Sequence, residues 1–184
     1  MQPLVVGKSA TALHSMFEGL FVRALKVDGP FKERLRAKGF DLDRPQLRYP
    51  VTVWEDCIDV AVAELYPGVP RDEGWRRIGR RFIEGYFETL VGRMLSVTLP
   101  LLSSTAFLNR GPRMISTGLE GARVRLQWRD PRTAVLHVEE ASDLSGALVA
   151  GALEVCFERM RKPMPQFTWT SAPGASTLII ALPG

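Results

Sequence analysis

The residues best suited to metal binding are His14, His137, Cys57 and Cys156. Zinc takes four nitrogen or sulfur ligands, or three and a water. No two of these four residues stand at ligand spacing, so the sequence predicts no metal centre. Each cysteine lies in an apolar, helix-spaced run and reads as a buried free thiol. Val6-Gly7-Lys8-Ser9 ends like a phosphate-binding loop. The full motif needs a glycine five residues before Gly7 and a preceding strand, but that position is Gln2. Ser145-Gly146 lacks the preceding glycine of a nucleophile elbow. Glu139 and Glu140 adjoin on an expected strand, which turns them to opposite faces. The residues therefore predict no catalytic group and no cofactor.

Two groupings remain. Arg76, Arg77, Arg80 and Arg81 are the densest basic feature and could hold phosphate or an acidic partner. The alternative is a solvated face paired with Glu73, Glu84 and Glu88, in which Glu73 to Arg77 has the favourable acid-before-base order. The second grouping is aromatic. Phe82, Tyr86, Phe107, Trp128, Phe167 and Trp169 all fall on expected inward faces, and Leu90 and Met94 continue the stripe of Phe82 and Tyr86. These eight are the candidate ligand-binding residues, since apolar, aromatic-lined clefts are the usual form of small-molecule sites. Gly92, Gly146 and Gly151 leave bare patches beside them. A filled core is the alternative.

The elements that must position these residues follow from periodicity. Residues 3–7 read as a short strand. Apolar residues at three- and four-residue steps predict helices over about 9–25, 31–39 and 50–65, the first capped by Ser9 or Thr11. A longer one is predicted over 71–97, after the break Pro67-Gly68-Val69-Pro70. Pro100 fits the first turn of a further helix over 100–117, which Gly111-Pro112 is expected to disturb. From residue 118 the period becomes two. Strands are expected over 123–128 and 134–140, then a helix over 142–160 capped by Ser142 or Asp143, then strands over 165–171 and 176–182. The fold class is α+β: a helical part, 1–117, packed on a small antiparallel sheet with β-β-α-β-β order in 118–184, all within a single domain spanning 1–184.

Composition narrows the function classes. The chain has 184 residues, 46% hydrophobic and 24% charged, with a net charge of +4, ordinary values for a globular protein. Acidic and basic residues interleave, whereas nucleic-acid binders concentrate their basic excess, so no nucleic-acid partner is expected. The most apolar stretch, 89–108, carries Arg93 and Pro100, and a membrane span needs roughly 20 uncharged apolar residues. No membrane partner is expected. The N-terminus lacks the basic and apolar regions of a signal peptide, so a cytoplasmic location is expected. Two functional readings follow. One is a non-enzymatic sensory or regulatory module holding a small apolar ligand between helix and sheet. The other is a ligand-free homodimeric interaction or scaffolding module, paired through the unused sheet face or the apolar strand Leu178–Leu182, because a long apolar edge invites pairing.

A resemblance adds to this. FEGLF at 17–21, KGFDLD at 38–43, YPVTVWEDCIDV at 49–60, IGRRFIEGYFETLVGRML at 78–95 and GALVAGALEV at 146–155 resemble a myxobacterial family of much the same length, present in many copies per genome and of unknown function. More distantly, the layout is similar to haem-NO-binding-like and four-vinyl-reductase-like domains. Relatives of that kind bind haem or small apolar molecules between helices and sheet, or pair as scaffolding subunits. Haem needs an axial ligand such as histidine, and none occurs between residues 15 and 136. The resemblance thus implies the fold and carries over no functional residue.

Overall fold

The structure is a computed structural model that describes residues 10–184; the expected strand at 3–7, Ser9 and the Val6–Ser9 motif lie outside them. The described residues open with a short strand where the sequence predicted helix: β1 (Thr11–Leu13) pairs antiparallel with β2 (Arg48–Pro50) and with β3 (Leu119–Glu120). Helix α1 (His14–Phe17) runs directly into a π-helical segment, Glu18–Ala24. Then come α2 (Gly29–Ala37) and α3 (Val51–Leu65). Phe17, at the centre of this region, stacks within 4.6 Å of both Phe40 and Tyr49 and 5.1 Å from Trp54.

The expected helix over 71–97 is two helices. Helix α4 (Arg71–Tyr86) ends at Phe87, and α5 (Leu90–Thr98) starts anew. Thr89 makes the break: its hydroxyl accepts a hydrogen bond from the Gly92 amide at 3.1 Å and donates to the Tyr86 carbonyl at 2.7 Å. A threonine cap satisfies an amide that a helix start leaves unpaired, and here it redirects the chain. Gly92 allows the turn, since a Cβ there would sit 1.7 Å from the Tyr86 carbonyl oxygen. Pro100 lies in a single 3-10 turn, Leu99–Leu101. Helix α6 (Ser104–Gly118) begins later than expected, where the Ser103 hydroxyl accepts from the Ala106 amide at 3.1 Å. Pro112 stays inside that helix without ending it.

The period-two region forms the expected sheet. β4 (Arg123–Asp130), β5 (Thr133–Glu139), β6 (Gln166–Ala172) and β7 (Ala175–Ala181) assemble antiparallel in the order β4-β5-β7-β6. Helix α7 (Ser145–Met160) connects the two hairpins. Its N-cap is Leu144 rather than Ser142 or Asp143, although the Ser142 hydroxyl accepts from the Leu144 amide at 3.1 Å. The register places Leu126, Leu136, Leu178 and Trp169 in one row across the sheet, and Trp128, Ala134, Ile180 and Phe167 in the next. That face packs against α6 and α7. Strand β7 lies inside the sheet, paired on both sides. The apolar strand is therefore no open edge, and the edge-pairing argument for a dimer loses its premise. The fold is α+β, with a helical N-terminal part packed on an antiparallel sheet.

Candidate functional site

Helix α4 positions the site. Its first turns are pressed against α7 at two glycines: a Cβ on Gly79 would lie 2.0 Å from the Leu148 carbonyl oxygen, and one on Gly151 would lie 1.8 Å from that of Arg76. Only glycine allows backbones so close. Arg76 and Arg80 reach across this contact. Arg76 Nε donates to Glu154 Oε1 at 2.7 Å, and an Arg80 Nη to Glu154 Oε2 at 2.9 Å. Arg80 also bonds Glu158 at 3.0 Å. Glu154 is 8% exposed at its side chain. The arginine cluster is thus divided. Arg76 and Arg80 clamp α7, while Arg77 pairs with Glu73 at 2.9 Å and Arg81 approaches Glu84 at 4.0 Å. Every member has an acidic side chain within 4.0 Å.

Beside the clamp, α4 and α7 both line a cavity of about 320 Å³. Phe82, Ile83 and Tyr86 of α4 form one wall and Val149, Ala152, Leu153 and Cys156 of α7 another. Leu126, Leu136 and Ile180 make the sheet floor, α5 contributes Val91 and Leu95, and α6 closes the space with Phe107, Gly111, Met114 and Ile115. No charged side chain and no histidine lines it. Burial pushes the Cys156 thiol up to about 12 and raises the Tyr86 phenol too. Both stay protonated at neutral pH. Among the described residues, no group of three histidine, cysteine, aspartate or glutamate side chains is placed to hold a metal ion.

Of the eight sequence-predicted site residues, the cavity brings together Phe82, Tyr86 and Phe107. Leu90 and Met94 do not reach it: the Thr89 break rotates α5, which brings Leu95 and the edge of Val91 to the cavity and leaves Leu90 and Met94 exposed. Trp128 lies at the end of the same sheet face, where its indole donates to Asn109 Oδ1 at 2.9 Å. Phe167 and Trp169 border a different, open groove beside Arg76, Arg80, Glu154 and Glu158. Met16, Met114 and Ala152 line the cavity but were not legible as site residues, because nothing in an apolar helix stripe separates a lining residue from a packed one. Cys57, with its thiol also pushed up to about 12 by burial, sits in the other core.

A family model matches residues 10–177, and the chain belongs to that family, DUF2378, whose members are described as proteins of unknown function. No curated protein matches. Among solved structures, the chain is similar to an H-NOX protein from S. oneidensis in the Fe(II)NO ligation state, at 14% identity over 93% of this chain and 97% of that one, with a TM-score of 0.64. It is similar to the Fe(II) unliganded H-NOX protein from K. algicida, at 12% identity, coverages of 93% and 96%, and a TM-score of 0.59. It is also similar to an oxygen-binding H-NOX domain related to soluble guanylate cyclases, at 15% identity, coverages of 91% and 89%, and a TM-score of 0.54. At these identities the likeness shows a shared fold.

Proposed function

We propose that this member of the DUF2378 family is a non-enzymatic sensory or regulatory module that holds a small, uncharged, apolar molecule between α4, α6, α7 and the sheet. The single observation behind this reading is the cavity itself. Apolar, aromatic-lined clefts are the usual form of small-molecule sites. Here about 320 Å³ of space lies among apolar side chains of α4, α5, α6, α7 and the sheet. The lining selects by chemistry: a charge entering it would lose its water and gain no partner.

Haem is the group that the H-NOX fold brings to mind, and the residues do not fit it. An iron needs an axial ligand such as histidine, thiolate or tyrosinate. The lining offers no histidine, and its methionines, Met16 and Met114, supply only the thioether that haem proteins use beside a histidine. No lysine or arginine lines the cavity to pair with the porphyrin carboxylates. The scaffold is shared, and the ligand is of another class.

Native mass spectrometry of the purified chain, joined to titration with the neutral fluorophore N-phenyl-1-naphthylamine, tests the reading. The expected result is a retained apolar molecule or saturable, single-site dye binding that medium-chain alcohols reverse. A bare chain mass together with non-saturating dye fluorescence would overturn it. A saturating ligand should also stabilise the fold. At 100 times Kd the gain is about 2.7 kcal/mol, or about 5–10 °C in Tm for a chain of this size.

A further inference from the structure

The wall that α5 gives the cavity has an outer side. Leu90, Met94 and Val97 follow one another at helical spacing, Leu101 continues the line through the 3-10 turn, and their exposures are 81%, 71%, 75% and 83%. Isolated exposed apolar residues are ordinary; a continuous stripe marks a docking face. Its electrostatic surroundings identify the partner. Residues 89–119 contain no aspartate or glutamate and three arginines, Arg93, Arg110 and Arg113. All three are exposed, and none has an acidic partner among the described residues. Most of the other basic residues are paired: Arg34 with Glu64, Arg48 with Glu120, Arg71 with Asp59 at 2.7 Å and Arg125 with Glu139 at 2.6 Å. On the helical wheel of α5, Arg93 flanks the stripe on the side away from Val91 and Leu95, which line the cavity. A second copy of this chain docked on the same face would set arginine against arginine. An anionic surface would complement it.

We infer that α5 and the following 3-10 turn form an interfacial anchor that lies on anionic lipid bilayers, with Leu90, Met94, Val97 and Leu101 seated among the acyl chains and Arg93 facing lipid phosphates, within a segment whose net charge is positive. Amphipathic helices of this composition lie in the plane of the interface, their apolar side buried at the headgroup boundary and their basic residues drawn by anionic lipid. This is attachment from one side. No helix among the described residues is long and apolar enough to cross a membrane, and the proposed anchor revises the expectation of no membrane partner. Val91 is both 59% exposed and a cavity-lining residue, so the anchor adjoins the cavity and the bilayer becomes the source of its apolar ligand. That second step rests on the proposed cavity function; attachment to the bilayer does not.

Co-sedimentation with phosphatidylcholine vesicles, with and without 30 mol% phosphatidylglycerol, tests the anchor, read alongside sedimentation velocity of the chain alone. The expected result is binding to the anionic vesicles, weakened by salt and at least fivefold weaker to pure phosphatidylcholine. Each basic residue near such a surface contributes about 1 kcal/mol, or roughly fivefold. Arg93→Glu should lower binding by about tenfold or more by the same reasoning. Leu90→Ser with Met94→Ser should abolish it while leaving Tm unchanged, because both side chains are already in water. Absence of binding to anionic vesicles at low salt would overturn the inference. So would binding that both variants retain, or a dimer that dissociates in the Leu90→Ser, Met94→Ser variant. Vesicle binding with no retained or saturable ligand would leave the anchor in place and remove the cavity reading alone.

Discussion

Toward α7, the two ends of α4 are built on opposite principles. Its first three turns meet α7 backbone to backbone, glycine against carbonyl, with Glu154 gripped by two arginines. Its last turn, Phe82 to Tyr86, faces open space across from the same partner helix. One pair of helices therefore makes both a backbone-to-backbone contact and a wall of the apolar cavity. The contact fixes where the helices stand, and the larger side chains further along then hold the walls apart. A cavity kept open in this way is pre-formed and owes its shape to rigid elements rather than to a mobile loop, as small-molecule sites commonly do.

Adjacent positions on α7 should separate the two regimes. At Gly151, alanine alone would favour the helix by about 1 kcal/mol, yet its Cβ would meet the Arg76 carbonyl oxygen at 1.8 Å. Because a backbone atom cannot step aside, Gly151→Ala should destabilise by about 4 kcal/mol, a fall of about 10 °C in Tm by thermal denaturation. A stabilised variant would show that the helices are not in close contact. Glu154→Gln should come next. It leaves two arginines at the contact with a neutral partner, and removing one member of a buried pair costs about 3–5 kcal/mol when the others are fully enclosed. Arg76 and Arg80 are each about a third exposed, so about 2 kcal/mol is expected, read from the urea midpoint. A loss below about 0.5 kcal/mol would rank the clamp with ordinary surface pairs.

Ala152, one residue along, points into the cavity. Ala152→Phe adds apolar volume where space exists, so stability should hold within about 1 kcal/mol or rise, in contrast to the cost of overpacking a filled core. The same variant should lose saturable N-phenyl-1-naphthylamine binding. A drop in stability as large as that of Gly151→Ala would mean that the space is already occupied by protein.

How much of this was legible in the sequence depended on which physical signal carried it. The sheet followed from a two-residue rhythm that is hard to mistake, and the four strands fall within a residue or two of their expected limits. The helical part was legible in content and misread in continuity. Thr89 looks like an ordinary residue in a helical run, and only the bond from its hydroxyl to the Gly92 amide makes it a cap. That one missed break misplaced Leu90 and Met94, because α5 faces a different way from α4. The strand Thr11–Leu13 was hidden because its partners lie at residues 48–50 and 119–120, and pairing at such range leaves no local pattern. The cavity was foreshadowed by Phe82, Tyr86 and Phe107. The aromatic residues Phe167 and Trp169 sit on the right sheet face but on the far strand, β6, and their distance from the cavity depends on a strand order that the sequence does not specify.

The closely packed end also contains one group at odds with its setting, and it supplies the smallest effect. Glu55 on α3 is half-buried beside the start of α7, and its carboxyl is raised from an ordinary 4.5 to about 6, first by burial and then by Asp143, Asp56 and Asp59. A carboxyl with a raised folded-state value favours the fold while protonated. The wild type should therefore be relatively most stable below about pH 4.5 and lose that margin as pH rises through about 6. The shift would correspond to about 2 kcal/mol in full, and solvent screening of a half-exposed group reduces it to about 1 kcal/mol. Glu55→Gln, neutral at every pH, should match the wild type near pH 4.5 and exceed it by about 1 kcal/mol at pH 8, or about 2–4 °C in Tm. The comparison is best made as a difference between the two proteins at each pH, since other carboxylates titrate in the same range and cancel. A constant difference across that range would place Glu55 in water and extend the open character of the cavity end to the α3 side of α7.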